Sequence, residues 1–318
     1  MVESKHQWKA WLYLSPALVL LAIFTVWPII NSTVSAFREG YNGYIAASTG
    51  SIFGGDFPIG FANFKYVASY SKFVDCLKNT VLLCVLTVPL STVLALLIAV
   101  VLNSIKPLRR VFQTIYFLPY VTNSIAIGLV FSSMFNIVGL NPVDINQSVS
   151  VGIVNNVIVA LGGEAINWMN QGSSYWANMA VMVIYIVWNA LPFKILILLG
   201  GLQSVNKQYY DAAKVDGTPK WRVLTRITVP MLSPMIAYVV ITGFIGGFKE
   251  YSSVVGVFGE DMGPAGASGR LNTIVGYVYE AIESQNFGLA SAGSLILFAI
   301  ILAVTIVNLY VSNKKVHY

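Results

Sequence analysis

The sequence predicts an all-α membrane protein with six transmembrane helices. Of its 318 residues, 56% are hydrophobic and only 10% are charged, and the mean hydropathy is +0.71. A soluble domain carries about 25% charged residues, so this composition indicates a chain that crosses the membrane several times. Backbone groups in lipid must hydrogen-bond within their own segment, and each membrane-crossing run is therefore predicted to be a helix.

Six apolar runs are long enough to cross a bilayer, which takes roughly 20 residues each. They cover approximately 11–36, 77–103, 111–135, 176–202, 230–258 and 288–311. The first run is too long, and too poorly matched to a cleavage site, for a removable signal peptide, so we expect it to remain as an anchor. Because no low-complexity linker and no internal repeat is found, residues 1–318 are expected to form a single transmembrane domain.

The basic residues predict the orientation of these spans. With the N-terminus inside, the cytoplasmic segments hold twelve Lys and Arg residues, and the opposite side holds five. This bias follows the positive-inside rule and predicts that both termini are cytoplasmic. Three long segments, 37–75, 136–175 and 259–287, then lie outside. The asymmetry explains the net charge of +6, so no nucleic-acid role is inferred from it.

A polar, basic loop between spans four and five carries the most specific pattern. Residues 207–215 are predicted to form a short helix, and Gly217 suits the left-handed conformation that commonly ends one. Thr218 can cap a second helix, with Pro219 in its first turn, where a missing N–H costs nothing. The pattern predicts two short helices across the cytoplasmic membrane surface. An amphipathic surface loop without a partner is the alternative.

This loop resembles the EAA loop of bacterial ABC importer permeases, which reads Glu-Ala-Ala, three residues, Gly, nine residues and Ile-x-Leu-Pro. The matching positions are Asp211, Ala212, Ala213, Gly217, Ile227 and Pro230. Asp replaces Glu, and Val229 replaces Leu. In that family the element docks in a cleft of the ATPase subunit. The resemblance therefore implies that these six residues couple the ATPase to transport.

Shorter fragments along nearly the whole chain resemble the sugar branch of the same family. They are Leu14-Ser15-Pro16-Ala17, Asn79-Thr80, Phe117-Leu118-Pro119, Gly201-Leu202-Gln203-Ser204-Val205 and Asn286-Phe287-Gly288-Leu289-Ala290-Ser291-Ala292. Their order implies a permease subunit of a bacterial plasma-membrane importer for disaccharides or oligosaccharides. The implied partners are a second, homologous permease, two ATPase subunits that bind ATP and Mg, and an extracytoplasmic sugar-binding protein. A non-sugar or anionic solute, such as glycerol-3-phosphate or a uronate oligosaccharide, is the alternative substrate.

Several enzyme and transporter classes lack their signatures here. No Gly-x-x-x-x-Gly-Lys-Ser/Thr loop occurs, so the chain is not expected to hydrolyse ATP or to hold a cofactor. Its two histidines are near the termini, and Cys76 and Cys84 have no metal-site or disulfide pattern, which leaves them as expected packing residues. A membrane enzyme would need clustered acidic residues or histidines. A secondary transporter would show inverted repeats and no docking loop.

Polar residues inside two spans suggest where a substrate could pass, because such residues usually face a cavity or a partner. In span five, Gly243, Gly246 or Gly247, and Glu250 recur at three- and four-residue steps and are predicted to share one helix face. Span four offers Asn189, Ala190 and Phe193 on a similar face, and Pro192 is predicted to kink it. An aromatic ring with amide and carboxylate groups suits a pyranose, which has apolar C–H faces and hydroxyl edges.

The family resemblance implies that six of these residues lie at or near the sugar-contacting positions: Asn189, Ala190, Phe193, Gly246, Gly247 and Glu250. The family often has Gln where Lys249 stands and a neutral residue at Glu250. The alternative is that Lys249 and Glu250 lie near the outer boundary and pair with the partner subunit, while the glycines serve helix packing.

Overall fold

Helices make up nearly all of the regular structure in the computed structural model, which describes residues 7–48, 57–105, 114–115, 118, 120, 122–139, 148–150 and 152–315. The predicted all-α class is confirmed. The exception within these residues is a short antiparallel pair of strands, β1 (Val138–Gly139) and β2 (Ser148–Ser150), with Val138 opposite Ser150.

The helices of the first half of the chain are α1 (Gln7–Leu21), α2 (Trp27–Phe37), α3 (Gly43–Ser48), α4 (Ala62–Ser69), α5 (Ser71–Ser104), α6 (Ser124–Phe135) and α7 (Gly152–Ala160). A π-helical turn, Ala22–Val26, joins α1 to α2.

The helices of the second half are α8 (Tyr175–Ser204), α9 (Lys207–Val215), α10 (Lys220–Val223), α11 (Val229–Met231), α12 (Ser233–Phe248), α13 (Ser252–Phe258), α14 (Ile274–Glu283) and α15 (Phe287–Lys315). A second π-helical turn, Leu224–Thr228, joins α10 to α11.

Four helices in the described residues are long and apolar enough to cross a membrane: Trp8–Phe37, Ser71–Ser104, Tyr175–Ser204 and Phe287–Ser312. A fifth crossing is present if Lys220–Met231 and Ser233–Phe248, which meet at an angle of 71°, count as one broken span. The shorter apolar helix Ser124–Phe135 lies in the predicted third span. The chain is therefore a multi-pass membrane protein, while six spans and cytoplasmic termini stay predictions.

The third predicted span, 111–135, is not one uninterrupted helix. Asn123 has extended backbone angles, and its side chain accepts a hydrogen bond from the N–H of Ile125 at 2.8 Å, so a new helix begins at Ser124. An N-cap of this kind satisfies an N–H group that has no partner inside the helix. Residues 111–113, 116, 117, 119 and 121 of this span lie outside the described part of the chain.

The fifth predicted span, 230–258, is broken twice. The backbone turns by 71° at Leu232, directly before the Pro234 turn of α12. The helix then ends at Phe248, three non-helical residues follow, and α13 begins at Ser252. Glu250 thus lies in a break between two helices, and the prediction that it continues one helical face with the glycines is wrong. The fourth span is one helix as predicted, because α8 continues through Pro192, and a kink at Pro192 stays a prediction.

The described residues divide into two compact units, one within Met1–Val74 and Tyr277–Phe298, the other within Asp75–Gly276 and Ala299–Tyr318. In the first, Asn63 is buried and donates hydrogen bonds to the carbonyls of Ala36 at 3.0 Å and Arg38 at 2.7 Å. These bonds hold the start of α4 against the end of α2. A 2.6 Å ion pair joins Lys72 to Glu280. That residues 1–318 act as one domain stays a prediction.

The second unit is held together by two apolar clusters along α5 and α8. One joins these helices to α6 and α13 through residues such as Leu83, Tyr185 and Val254. The other joins them to α12 through Ala95 and Leu198, among others. The two clusters fix α5, α8 and α12 around the cavity described below. Cys76 and Cys84 are both buried, as expected of packing residues.

Candidate functional site

The loop between α8 and α12 forms the predicted first helix and turn. Helix α9 covers Lys207–Val215, and Asn206 caps it by accepting from the N–H of Gln208 at 2.9 Å. At the other end Gly217 has φ of +63°, while the N–H of Thr218 donates to the carbonyl of Ala213 at 2.9 Å. The N–H of Gly217 donates to the backbone carbonyl of Lys214 at 3.1 Å, and this second bond completes a Schellman motif. The left-handed Gly217 is confirmed.

The second helix of the loop begins later than predicted. Pro219, not Thr218, takes the N-cap position, and α10 starts at Lys220. The carbonyl of Pro219 accepts the first hydrogen bond of this helix, from the N–H of Val223 at 3.1 Å, which sets the helix start one residue later. The chain then continues through Leu224–Thr228 into α11.

The six residues predicted to couple the ATPase occupy different environments along this loop. Asp211 is exposed and pairs with Lys214 at 3.4 Å, whereas Ala213 is buried on the inner face of α9. Ala212 and Gly217 are exposed, and Ile227 and Pro230 are half-buried. The loop also exposes three large apolar side chains, Tyr209, Val215 and Trp221, at 52%, 88% and 71%.

A cavity of about 300 Å³ lies between α5, α8 and α12. All six residues predicted for the substrate site line it: Asn189, Ala190, Phe193, Gly246, Gly247 and Glu250. The structure thus brings together side chains from two predicted spans and from the break after α12. The volume of the cavity falls at the lower end of the usual range for ligand pockets, about 300–1,000 Å³. Whether these residues contact a substrate stays a prediction.

Helix α8 supplies the amide and the aromatic ring. Asn189 and Phe193 are one turn apart, so both project from the same face. The ring of Phe193 stacks on that of Tyr120, with centroids 5.7 Å apart and an angle of 17° between the planes. The cavity wall here is therefore a flat aromatic surface beside a hydrogen-bonding amide.

The three glycines of α12 have different roles. A Cβ on Gly246 would meet no atom within 4 Å, so this residue leaves open space in the cavity. A Cβ on Gly247 would lie 2.7 Å from Sγ of Cys84, and one on Gly243 would lie 3.1 Å from Val88. Gly243 and Gly247 therefore allow α12 to pack closely on α5, while Gly246 preserves cavity volume.

Glu250 is anchored to the helix that follows the break. Its Oε1 accepts a hydrogen bond from the backbone N–H of Ser253 at 3.1 Å, and Ser253 is buried. The carboxylate thus satisfies one of the N–H groups that α13 leaves unpaired at its first turn. The neighbouring Lys249 is exposed and is not among the lining residues of the cavity.

Sequence reasoning missed Lys194, which lines the same cavity and is only 5% exposed. Its ammonium donates to the carbonyl of Val88 at 3.2 Å, to Oγ of Ser91 at 2.7 Å and to Oγ1 of Thr92 at 3.0 Å. A lysine inside an apolar run was the signal that could have identified it. Its partners could not be identified in this way, because they belong to a different helix.

Two further features of the cavity were also missed. One is Tyr120, which lines the cavity, and the other is Thr87 with Ser91, which form a four-residue polar step inside α5. Within the described residues, no group of three or more His, Cys, Asp or Glu side chains is placed to hold a metal ion. The arrangement can therefore donate and accept hydrogen bonds and present an aromatic face.

Residues 67–317 match the family described as binding-protein-dependent transport system inner membrane component. The chain is 28% identical to the lactose transport system permease protein LacF of Rhizobium radiobacter, over 96% of this chain and 95% of that protein. It is 26% identical to the arabinooligosaccharides transport system permease protein AraP of Bacillus subtilis, over 96% and 88%. It is 29% identical to the sulfoquinovosyl glycerol transport system permease protein SmoG of Agrobacterium fabrum, over 99% and 97%.

Two solved structures share the fold. One is a bacterial ABC transporter involved in the import of the acidic polysaccharide alginate, with a TM-score of 0.75, 21% identity and coverage of 98% of this chain and 96% of that chain. The other is a bacterial alginate ABC transporter in complex with alginate pentasaccharide-bound periplasmic protein, with a TM-score of 0.74, 21% identity and coverage of 99% and 98%.

Proposed function

The chain belongs to the family of binding-protein-dependent transport system inner membrane components, and we propose that it is one permease subunit of an ATP-driven importer of disaccharides or oligosaccharides. The observation that carries this proposal is a cavity lined by Asn189, Phe193 and Glu250, enclosed by helices apolar enough to lie in a membrane. Polar side chains at such a depth are costly unless they serve a cavity or a partner.

The saccharide class is supported by the chemistry of the cavity and by the relatives. Phe193 and Tyr120 provide an aromatic surface for the C–H face of a sugar ring. Asn189 can donate to and accept from hydroxyl groups, and a carboxylate such as that of Glu250 accepts from them. The relatives described above are named for lactose, arabinooligosaccharides and sulfoquinovosyl glycerol, and the solved importers for alginate.

The loop Lys207–Met231 is the proposed contact with the ATPase. Its Schellman turn at Gly217 fixes the direction of α10 relative to α9. The exposed Tyr209, Val215 and Trp221 offer the apolar surface that a docked partner would cover. The chain itself then hydrolyses no ATP, and ATP with Mg binds to two partner subunits.

The proposed assembly also contains a second permease and an extracytoplasmic sugar-binding protein. An apolar stretch of 18 residues within Trp8–Phe37 has no buried residue, which is consistent with a helix that contacts lipid or another subunit. In the proposed topology both termini are cytoplasmic and six spans cross the membrane. ATPase closure would move the docked loop, and the cavity would alternate between the two sides through differential affinity for the two states.

Reconstitution tests this function directly. Proteoliposomes that contain the permease pair and the ATPase subunits should accumulate a radiolabelled oligosaccharide when ATP is inside and the binding protein is outside. Omission of either ATP or the binding protein should abolish accumulation. Uptake that persists without the ATPase subunits would indicate a secondary transporter instead.

A further inference from the structure

Lys194 brings a positive charge into the cavity wall, and the proposed recognition of sugar hydroxyls does not require it. The residue is 5% exposed, and all three hydrogen-bond partners of its ammonium are neutral oxygen atoms. Neutral acceptors solvate a cation without cancelling its charge. A buried charge is costly unless it is paired with an opposite charge. The cavity therefore favours a ligand that brings a negative group.

Helix α5 is arranged to hold this ammonium. The hydroxyl of Ser91 donates to the carbonyl of Thr87 at 2.5 Å, and that of Thr92 donates to the carbonyl of Val88 at 2.7 Å. Each hydroxyl has one hydrogen, so its lone pairs remain for Lys194. The two hydroxyls therefore act as acceptors toward the cavity, and they position Nζ beside it.

One of the three bonds of Lys194 can be exchanged at little cost. The carbonyl of Val88 has two lone pairs, and in a helix it also accepts from the N–H four residues later, at Thr92. It accepts from the Thr92 hydroxyl at 2.7 Å as well, and the Ser91 hydroxyl also lies 3.2 Å from it. Lys194 is therefore a surplus donor to this carbonyl, and at 3.2 Å this is the longest of its three bonds. An anionic oxygen in the cavity could take over this donor while the carbonyl keeps two partners.

Glu250 does not neutralise Lys194. No ion pair joins them in the part of the chain that the structure describes. The ammonium lies beside Gly243, where a Cβ would be 3.2 Å from Nζ. Glu250 lies beyond the end of α12, and its carboxylate accepts from the N–H of Ser253. The cavity thus has a positive wall at α5 and α8 and a negative end at the break after α12.

We propose that Lys194 is a specificity-determining residue that binds an anionic group, such as a carboxylate, sulfonate or phosphate, on the transported saccharide. The sugar would lie with its acidic group at Lys194 and its hydroxyls toward Asn189 and Glu250. This inference rests on the proposed function, in which the cavity is part of the sugar pathway.

The test uses two trisaccharides that differ in oxidation at C6 alone: β-1,4-linked mannotriose and its mannuronate counterpart. Each is titrated calorimetrically into the purified permease–ATPase complex in nanodiscs, without nucleotide or binding protein. Wild type should bind the acidic sugar more tightly. Lys194→Met should weaken the acidic sugar about tenfold to a hundredfold more than the neutral one, since hydrogen bonds between charged groups are worth that much. Lys194→Arg should keep the preference.

Three controls make each result decisive. Size-exclusion chromatography measures assembly, and Lys194→Gln replaces Lys194→Met if the methionine variant does not assemble. The role of Lys194 is overturned if the wild-type complex binds both sugars equally or does not bind the acidic one. It is also overturned if the variant loses the same factor of affinity for both sugars. Asn189→Ala separately tests the cavity: it should weaken both sugars alike, and an unchanged affinity for both would contradict the proposed function instead.

Discussion

The Glu250 carboxylate has two roles, since it bonds to the protein backbone and also lines the cavity. Its carboxylate accepts from the buried N–H of Ser253 and also lines the cavity wall. Lys194 is similar, because its ammonium bonds to α5 while its charge faces the same space. At the scale of single residues, the site is therefore built from side chains that join two helices and border the cavity.

Replacement of Glu250 separates these two contacts. Glu250→Gln keeps an oxygen acceptor for the N–H of Ser253, so it should assemble normally and reduce uptake mildly. Glu250→Ala leaves that N–H without an acceptor, at about 1–3 kcal/mol, and should reduce both assembly and uptake. Uptake is measured per assembled complex. A glutamine variant that is as impaired as the alanine variant would contradict this account.

Gly246 and Gly247 form a matched pair of adjacent residues. Gly246→Ala adds a methyl group to open space and should leave the amount of assembled complex unchanged. Gly247→Ala places Cβ 2.7 Å from Sγ of Cys84 and should destabilise assembly by about 1–3 kcal/mol through overpacking. The double variant Gly247→Ala with Cys84→Ala should recover part of this loss, as measured by thermal unfolding. Equal effects of the two single variants would oppose the assignment of their roles.

At the scale of elements, the sequence predicted correctly those features that depend on residues close together in the chain. Residues 207–215 and the Gly217 turn follow from capping and backbone conformation, and both are present as predicted. The break at 249–251 was missed because hydropathy reports apolar character and not the continuity of backbone hydrogen bonds. Lys194 was missed because Ser91 and Thr92, which hold it, lie about a hundred residues earlier in the chain.

The turn at Gly217 is the element-level feature with the clearest test. Gly217→Val would force a β-branched residue into φ of +63°, at about 1–2 kcal/mol, and would misdirect α10. Uptake should fall sharply while the permease still inserts. Gly217→Asn is the matched control, because Asn tolerates this conformation, and it should keep most of the activity. Wild-type uptake by the valine variant would exclude a coupling role for the turn.

At the scale of the whole molecule, the proposed orientation places the loop Lys207–Met231 in the cytosol. Single cysteines in a background without Cys76 and Cys84 can test this. Cysteines at Ser48 and Ala265 should react with an impermeant thiol reagent added outside intact cells. Cysteines at Lys220 and Lys314 should react after the membrane is opened. Reaction of Lys220→Cys in intact cells would reverse the topology and remove the ATPase contact.

The central claim is that a saccharide passes through the cavity of this chain. The most direct measurement is ATP-driven uptake per assembled complex for Asn189→Ala and Phe193→Ala, with Leu196→Ala as the control on an exposed part of α8. The account predicts that both cavity variants lose at least about tenfold of their uptake, equivalent to about 1.4 kcal/mol of lost interaction, while the control keeps it. Full uptake by both cavity variants would place the sugar pathway outside this cavity.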